Sequence, residues 1–401
     1  MKRTYKYRLL PNKEQTKVLD EILSFCRFLY NCALEERITY YKRFGKTLSY
    51  ASQSNELPEI RRFFSEDTEN ILAQTLQQVL KRLDTAYQNF FRKLKEKAGE
   101  AGLPRFKGES RFRSICIPQP IPDLSKGCVK KLPNNKLKIS GIPGEIKVKW
   151  HREIPDGARC KQVRIVKGVG HYYVMIYCDN VNDEVLAPTG KTVGVDLGIN
   201  SFITLDDGKQ FHHPKPYKTS KEKLAFLNKK LARKKAGPNN RKNVLIALRR
   251  ENERTRNIRE DFQRKIAKQL IVENDAIIIE KLDIRELMSK SLGPEATPKE
   301  KAIFKSHKEN MMDASWGSFT DKLIYKAESA GRKVIQVDPR YTSMMCSSCG
   351  HMQDMPQEVR TYDCDACGTI LDRDLNAAIN IRNKGLGASL AIPKVFQKSK
   401  F

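Results

Sequence analysis

Residues 191–211 read "KTVGVDLGINSFITLDDGKQF". The two apolar runs in this stretch, joined by a glycine-containing turn, predict a pair of strands. Asp196 sits inside the first run. An apolar strand carries a charge toward a core only if that charge meets a cation, and Gly194 and Gly198 let a bulky partner approach the backbone. Asp196 is therefore expected to be a working carboxylate and not a solvated one.

Two more carboxylates stand in comparable settings. "NDAIIIEKLDI" (274–284) is the short apolar run of a buried parallel strand, and Glu280 closes it. "DRDLNAAINI" (372–381) opens a helix whose small alanines permit close packing on a sheet, and the N-terminal dipole tolerates Asp374 in its first turn. Asp372 competes with Asp374 for the same role or supports it from behind. An acid on a first strand, an acid on a later parallel strand and an acid at a last helix is the order by which an RNase H-like sheet gathers three carboxylates around two divalent ions. Such ions, roughly 4 Å apart, suit phosphodiester hydrolysis, and hard oxygen donors favour Mg²⁺ or Mn²⁺.

Just ahead of Asp374, Cys346, Cys349, Cys364 and Cys367 form two CxxC pairs separated by fourteen residues. That spacing predicts one closed, structural, tetrahedral zinc site. His351, so close behind the first pair, is expected on the surface and not as a ligand. The polar loop between the pairs has too little apolar content to fold unaided. The other six cysteines, Cys26, Cys32, Cys116, Cys128, Cys160 and Cys178, are expected to fill cores.

The 401-residue chain carries 75 Lys+Arg against 47 Asp+Glu, a net charge of +28. Self-repulsion on this scale makes sense if a polyanion neutralises it, which points to nucleic acid. No apolar run reaches the roughly 20 residues that span a bilayer, and the N-terminus lacks a secretory pattern, so no membrane partner and a cytoplasmic, nucleoid-associated location are expected.

Upstream, "KRTYKYRL" (2–9) alternates like a strand. Two amphipathic stretches then follow, with Val18, Ile22, Phe25, Leu29 and Cys32 on one face and Leu72, Leu76, Leu80, Leu83, Tyr87 and Phe91 on another. "KLKIS", "EIKVKW", "QVRIVKG" and "HYYVMIYC" are short alternating segments, read as a β-barrel that the first strand completes across the inserted helices. The fold class is thus α+β and multidomain: a β-barrel with an inserted helical bundle, then an RNase H-like α/β domain with a zinc-binding insertion. Residues 215–268 hold 19 Lys+Arg and 5 Asp+Glu. Within them Lys229, Lys230, Arg233, Lys234 and Lys235 are expected to meet phosphate. Arg105, Lys107, Arg111 and Arg113, interleaved with Phe106 and Phe112, suit backbone charge plus stacking on RNA or single strands. Gln77, Gln78 and Lys81 share a polar helix face that could read base edges. Tyr341 and Thr342, before the first knuckle, are candidates to approach the cleaved strand.

The chain resembles the TnpB family, transposon-encoded RNA-guided nucleases related to type V CRISPR effectors. The segments that carry the resemblance include "TYKYRLLPNKEQ", "PRFKGESRFRS", "VGVDLGINSFITLDDG", "IIIEKLDI", "VDPRYTSMMCSSCG" and "CDACGTILDRDLNAAINI". The resemblance implies a RuvC-type catalytic triad at Asp196, Glu280 and Asp374 and one zinc on the four cysteines. It also implies a guide RNA from the transposon end and cleavage of double-stranded DNA beside a short target-adjacent motif. The implied layout is a wedge barrel of residues 1–11 and 103–182 around a recognition bundle of 12–102. A RuvC-like domain of 183–342 and 371–401 is interrupted by the zinc insertion of 343–370. Met344 and Met345 stand where the family commonly has Gln or an aromatic, and Gln263 where it often has His. A cleavage-deficient guided repressor and a strand-transfer transposase are the alternatives. Specificity in a guided nuclease is carried by base pairing with the guide.

Overall fold

The computed structural model describes residues 2–96, 101–181, 185–234, 239–293, 295–356 and 358–387. The chain forms two compact units, Met1–Asn182 and Asp183–Phe401.

In the first unit, β1 (Arg3–Leu10) alternates so that Tyr5, Tyr7 and Leu9 are buried. Asn12 and Gln15 then form a capping box that starts α1 (Lys13–Phe44), which stops at Gly45 in the left-handed region. Three short helices, α2 (Tyr50–Asn55), α3 (Leu57–Phe63) and α4 (Ser65–Thr68), lead to α5 (Ala73–Lys95). Six strands follow: β2 (Ser114–Pro118), β3 (Val129–Leu132), β4 (Lys136–Ile139), β5 (Ile146–Lys149), β6 (Arg159–Lys167) and β7 (Tyr172–Asp179). All seven strands join one sheet in the order β2-β6-β7-β1-β5-β4-β3. The first strand made is thus central, antiparallel to β7 on one side and β5 on the other. Among the described residues no ladder joins β2 to β3, so the expected barrel is, in hydrogen bonding, a sheet with two free edges. Leu76, Val79, Leu80 and Leu83 of α5 and Leu19, Ile22, Cys26 and Leu29 of α1 share a core with the sheet. Two sequence expectations fail here. Phe91 is 47% exposed because the last turns of α5 run past their partners, and Cys32 is exposed because α1 buries Leu29, Tyr30, Ala33 and Leu34 instead.

The second unit begins with β8 (Thr192–Leu197), β9 (Ile203–Leu205) and β10 (Gln210–Phe211), then α6 (Pro216–Ala232) and α7 (Asn239–Glu273). It continues through β11 (Ala276–Glu280), α8 (Ile284–Ser289), α9 (Pro298–Ala314), α10 (Trp316–Ser329) and β12 (Lys333–Val337). The hairpin β13 (Thr361–Asp363) and β14 (Ile370–Asp372) precedes the last described helix, α11 (Arg373–Gly385). The five-stranded order is β10-β9-β8-β11-β12, with β11 parallel to both β8 and β12. Strand alternation divides the faces. Val193, Val195, Leu197, Ile277 and Ile279 pack with α7 and α10 through Ile266, Leu270, Phe319 and Leu323. Gly194 and Asp196, with Ile278 and Glu280, point the other way, to the face that α11 covers. Gln263, fully buried, donates to the carbonyls of Ala314 and Ser315, so it seals the left-handed junction between α9 and α10.

Candidate functional site

Helix α11 lies on the sheet as closely as backbone allows. A Cβ on Gly194 would come within 2.2 Å of the Ala378 carbonyl, and one on Gly385 within 2.5 Å of the Ile278 side chain. Ala377 and Ala378 are both buried, so small residues on each side of the contact set the approach. Arg382 pins the helix by pairing with Asp206 at 2.7 Å. The consequence is that the first turn of α11 comes over the carboxyl ends of β8 and β11.

That end of the sheet carries all three candidate carboxylates, although among the described residues it is the four cysteines, and not these acids, whose ligand atoms already lie within 4.8 Å of one another. In the β8–β11 register Val195 faces Ile279, so Asp196 and Glu280 are next to each other at the strand ends. Asp374 enters from α11, its Oδ2 3.9 Å from where a Gly198 Cβ would be. Burial raises the Asp196 carboxyl well above the usual carboxylate range, and the negative charges of Glu280, Asp374 and Asp372 push it further. Glu280 is also raised, chiefly by burial, against the pull of a hydrogen bond from Thr342 and the nearby Lys384. Asp374 is raised by burial too, and Arg360, 3.4 Å away, opposes this. Asp372 has a different occupation: its carboxylate accepts from Asp374 N and Leu375 N at 2.9 and 3.1 Å and caps α11. Asp196, raised by burial and by the charges of the other two, and its neighbours Glu280 and Asp374 are hard oxygen donors of the kind that suits Mg²⁺ or Mn²⁺.

This repulsion gives a pH prediction. All three groups are raised, so without divalent cations these three carboxyls hold more protons in the folded protein than in the unfolded chain above the ordinary carboxylate range. Their contribution to stability then falls as pH rises through the folded values. In magnesium-free buffer, Asp196→Asn is expected to raise Tm by at least about 2 °C at roughly pH 8 and to change it little near pH 4. Thermal melts at the two pH values check this; an equal shift at both would mean that packing, not charge, separates the variants.

The cysteines come together as the spacing required. The four Sγ atoms lie within 4.8 Å of one another, and Cys346–Cys367 and Cys349–Cys364 are each 3.7 Å apart. Zinc–sulfur bonds of about 2.3 Å in a tetrahedron need sulfur–sulfur edges of roughly 3.8 Å, so the donor set fits Zn²⁺. Each pair ends on a glycine in the left-handed region, Gly350 and Gly368. Their amides return to the carbonyls of Cys346 and Cys364 at 3.0 and 2.8 Å. Hydrogen bonds from Thr369 pull the Cys367 thiol down to about 6, which favours the ligating thiolate. His351 turns away and pairs with Asp365 at 2.9 Å.

The nucleic-acid candidates divide. Gln77 and Lys81 are exposed on α5 and Gln78 is half-exposed, opposite the buried Leu76, Val79, Leu80 and Leu83. Arg105 and Arg111 are exposed and Arg113 is half-buried. Lys107 is held by its backbone, which exchanges hydrogen bonds with the Asn31 amide. Phe112 corrects the reading from sequence: it is 4% exposed, beneath the Arg82 guanidinium and against Tyr30, and cannot stack on a base. Phe106 remains exposed. Lys229, Lys230, Arg233 and Lys234 are exposed around the end of α6, and Lys235 lies outside the described residues. Thr342 is buried and turned onto Glu280.

Sequence reasoning missed Arg360, Lys384, Asn376 and Asn380. Asn376 and Asn380 are fully buried and hold the Met345 carbonyl at 2.7 Å each. Two asparagines four apart in an alanine-rich helix share one face, and that spacing was the available signal of a polar backbone partner.

Family models match three stretches: "Helix-turn-helix domain" over residues 1–46, "Probable transposase" over 175–291, and "Cas12f1-like, TNB domain" over 316–381. Within the first, the described residues form β1 and an unbroken α1, not two helices across a turn. A "Putative RNA-guided DNA endonuclease" of Streptomyces pristinaespiralis is 30% identical over 97% of this chain and 90% of its own length. "Putative RNA-guided DNA endonuclease InsQ" of Escherichia coli K12 is 27% identical over 99% and 95%. Among solved structures, the chain in a "Cas12f1-sgRNA-target DNA complex" superposes with a TM-score of 0.51 over 96% of this chain and 99% of that one, at 13% identity, which is a likeness of fold.

Proposed function

Because the chain belongs to the TnpB family, we propose that it is an RNA-guided, metal-dependent endonuclease that cuts double-stranded DNA beside a short target-adjacent motif. What supports this reading is that Glu280 and Asp374, from two other elements, both lie close enough to Asp196 for their charges to raise it, at the carboxyl ends of parallel strands. In this reading the second unit is a RuvC-like nuclease and the first holds the wedge and recognition surfaces.

Two Mg²⁺ or Mn²⁺ ions on the three carboxylates would activate water and stabilise the leaving oxygen. The protein's own part is placement. The sheet fixes Asp196 and Glu280 in register, and α11 delivers Asp374 with its N-terminal dipole toward the cluster. One structural zinc on the cysteines would hold the insertion. Arg360 and Lys384 place cations at the rim, where they temper carboxylate repulsion.

The test is to purify the protein with its nucleic acid and sequence what accompanies it. A defined RNA that directs cutting of any duplex matched to its variable end is the expected result. Target binding without cutting would favour the guided repressor, and joining of DNA ends would favour the transposase. No observation favours either of these.

The basic end of α6 supports an electrostatic share in RNA binding. Log affinity should fall linearly with log salt, and replacing Lys229, Lys230, Arg233 and Lys234 together by Ala should flatten that slope by about 3, at roughly 0.7–0.9 per lost phosphate contact. Filter binding across a salt series measures it; an unchanged slope moves the RNA face elsewhere.

A further inference from the structure

Thr342 is part of the loop that leads into the first zinc knuckle, yet its side chain faces the carboxylates. Its Oγ1 donates to Glu280 Oε1 at 2.6 Å, and both residues are buried, at 4% and 8% exposure. The backbone of the same residue is fixed from α11: Asn380 Nδ2 donates to the Thr342 carbonyl at 2.9 Å and to the Met345 carbonyl at 2.7 Å. Met345 directly precedes the first ligand, Cys346, and Ser347 N donates to Asn376 at 2.8 Å. A glutamate at a strand end has three rotatable bonds, and nothing in an apolar strand chooses among its rotamers. The threonine hydroxyl does choose. Its single proton has two acceptors in reach, Glu280 Oε1 at 2.6 Å and the Pro339 carbonyl at 3.0 Å, and the shorter contact, to the carboxylate, fixes one oxygen of Glu280.

We propose that Thr342 is a positioning residue for the cleavage reaction, setting the Glu280 carboxylate from the zinc knuckle through a Cys346–Met345–Asn380–Thr342–Glu280 chain of contacts. The proposal rests on the nuclease reading above. It predicts that threonine can be replaced by serine, which keeps the hydroxyl, but not by valine, which keeps the shape and loses the donor.

The experiment compares Thr342→Val and Thr342→Ser with wild type for single-turnover cleavage of a guide-matched duplex over a Mg²⁺ series, with zinc content and target binding measured on the same samples. Thr342→Val is expected to cut about 10–100-fold more slowly at limiting Mg²⁺ and to need correspondingly more Mg²⁺ for half-maximal rate, as loss of an outer-shell partner does in other metal sites. Thr342→Ser is expected to stay within about threefold of wild type, since the donor is retained. Both should hold zinc and bind target as wild type does. Equal rates for valine and wild type, or equal losses for serine and valine, overturn the proposal, because the hydroxyl then does nothing that shape does not. Glu280→Gln, run alongside, separates this from failure of the nuclease reading: if it cuts like wild type, the carboxylate assignment itself falls and the positioning role falls with it.

Discussion

Asp196→Ala, Glu280→Ala and Asp374→Ala are each expected to slow target cleavage by at least about a thousandfold, roughly 4 kcal/mol of transition-state stabilisation. Each substitution removes one of three donors whose neighbouring carboxylates are otherwise engaged: Asp372 caps α11, and Asp338, whose charge also reaches Glu280, is paired with Arg340. Binding should persist, because guide pairing and the basic surfaces do not depend on these acids. The assay incubates each protein with guide RNA and matched duplex in Mg²⁺, in Ca²⁺ and in chelator, and reads binding and cutting separately. Cutting is expected from wild type with Mg²⁺ or Mn²⁺ alone, and target binding from all four proteins. Asp372→Ala serves as the internal comparison. It removes a helix cap worth about 1 kcal/mol and should lower activity partially, through the placement of Asp374. If Asp372→Ala stops cleavage and Asp374→Ala does not, the third donor is the other aspartate of "DRD".

The elements that carry this cluster were legible because each is a local pattern. An aspartate in an apolar strand beside two glycines, a glutamate closing "AIIIE", and two CxxC pairs ahead of a helix start all state a chemical conflict that only a partner resolves. Gly194 even foretold a close approach, though not that the partner would be the Ala378 carbonyl of α11. What stayed illegible depends on tertiary direction. "PRFKGESRFR" alternates cations and aromatics, but whether Phe112 faces solvent or the core is decided by Tyr30 of α1 and Arg82 of α5, both far upstream in the chain. The edges of the first sheet are similar: strand segments announce themselves, while closure into a barrel depends on whether β2 reaches β3. Thr342 reads as one polar loop residue among several, and its meaning appears only when β11 brings Glu280 beneath it.

Losing zinc should also cost activity, less than losing a carboxylate does, because the cysteines act on the reaction only through the insertion they hold together. The insertion has almost no core of its own: among its described residues Cys346, Tyr362 and Cys364 are the buried cluster, with Met355 against them, and its two strands are three residues each. Zinc binding, worth about 10–16 kcal/mol in peptides with comparable ligands, is then its folding energy. The start of α11 leans on that insertion, since Arg373 N donates to the Arg360 carbonyl at 2.7 Å and the Arg373 side chain to the Pro356 carbonyl at 2.7 Å. Asn376 and Asn380 hold the first knuckle from the other side. Cys364→Ser should therefore release the metal, leave Asp374 without a fixed approach, and reduce cleavage at least about a hundredfold, the upper range for disturbed metal-site surroundings. The first unit, whose helices and seven-stranded sheet share no residue with this region, should remain folded. Metal analysis, cleavage assays and hydrogen exchange on the same preparation give the decision. Protection should be lost over the peptides from about residue 343 to 385 and kept in α1, α5 and β7. A zinc-free Cys364→Ser protein that cuts at the wild-type rate would show that α11 finds its place without the knuckle, and the sheet-side contacts at Gly194 and Gly385 would then be sufficient to position Asp374.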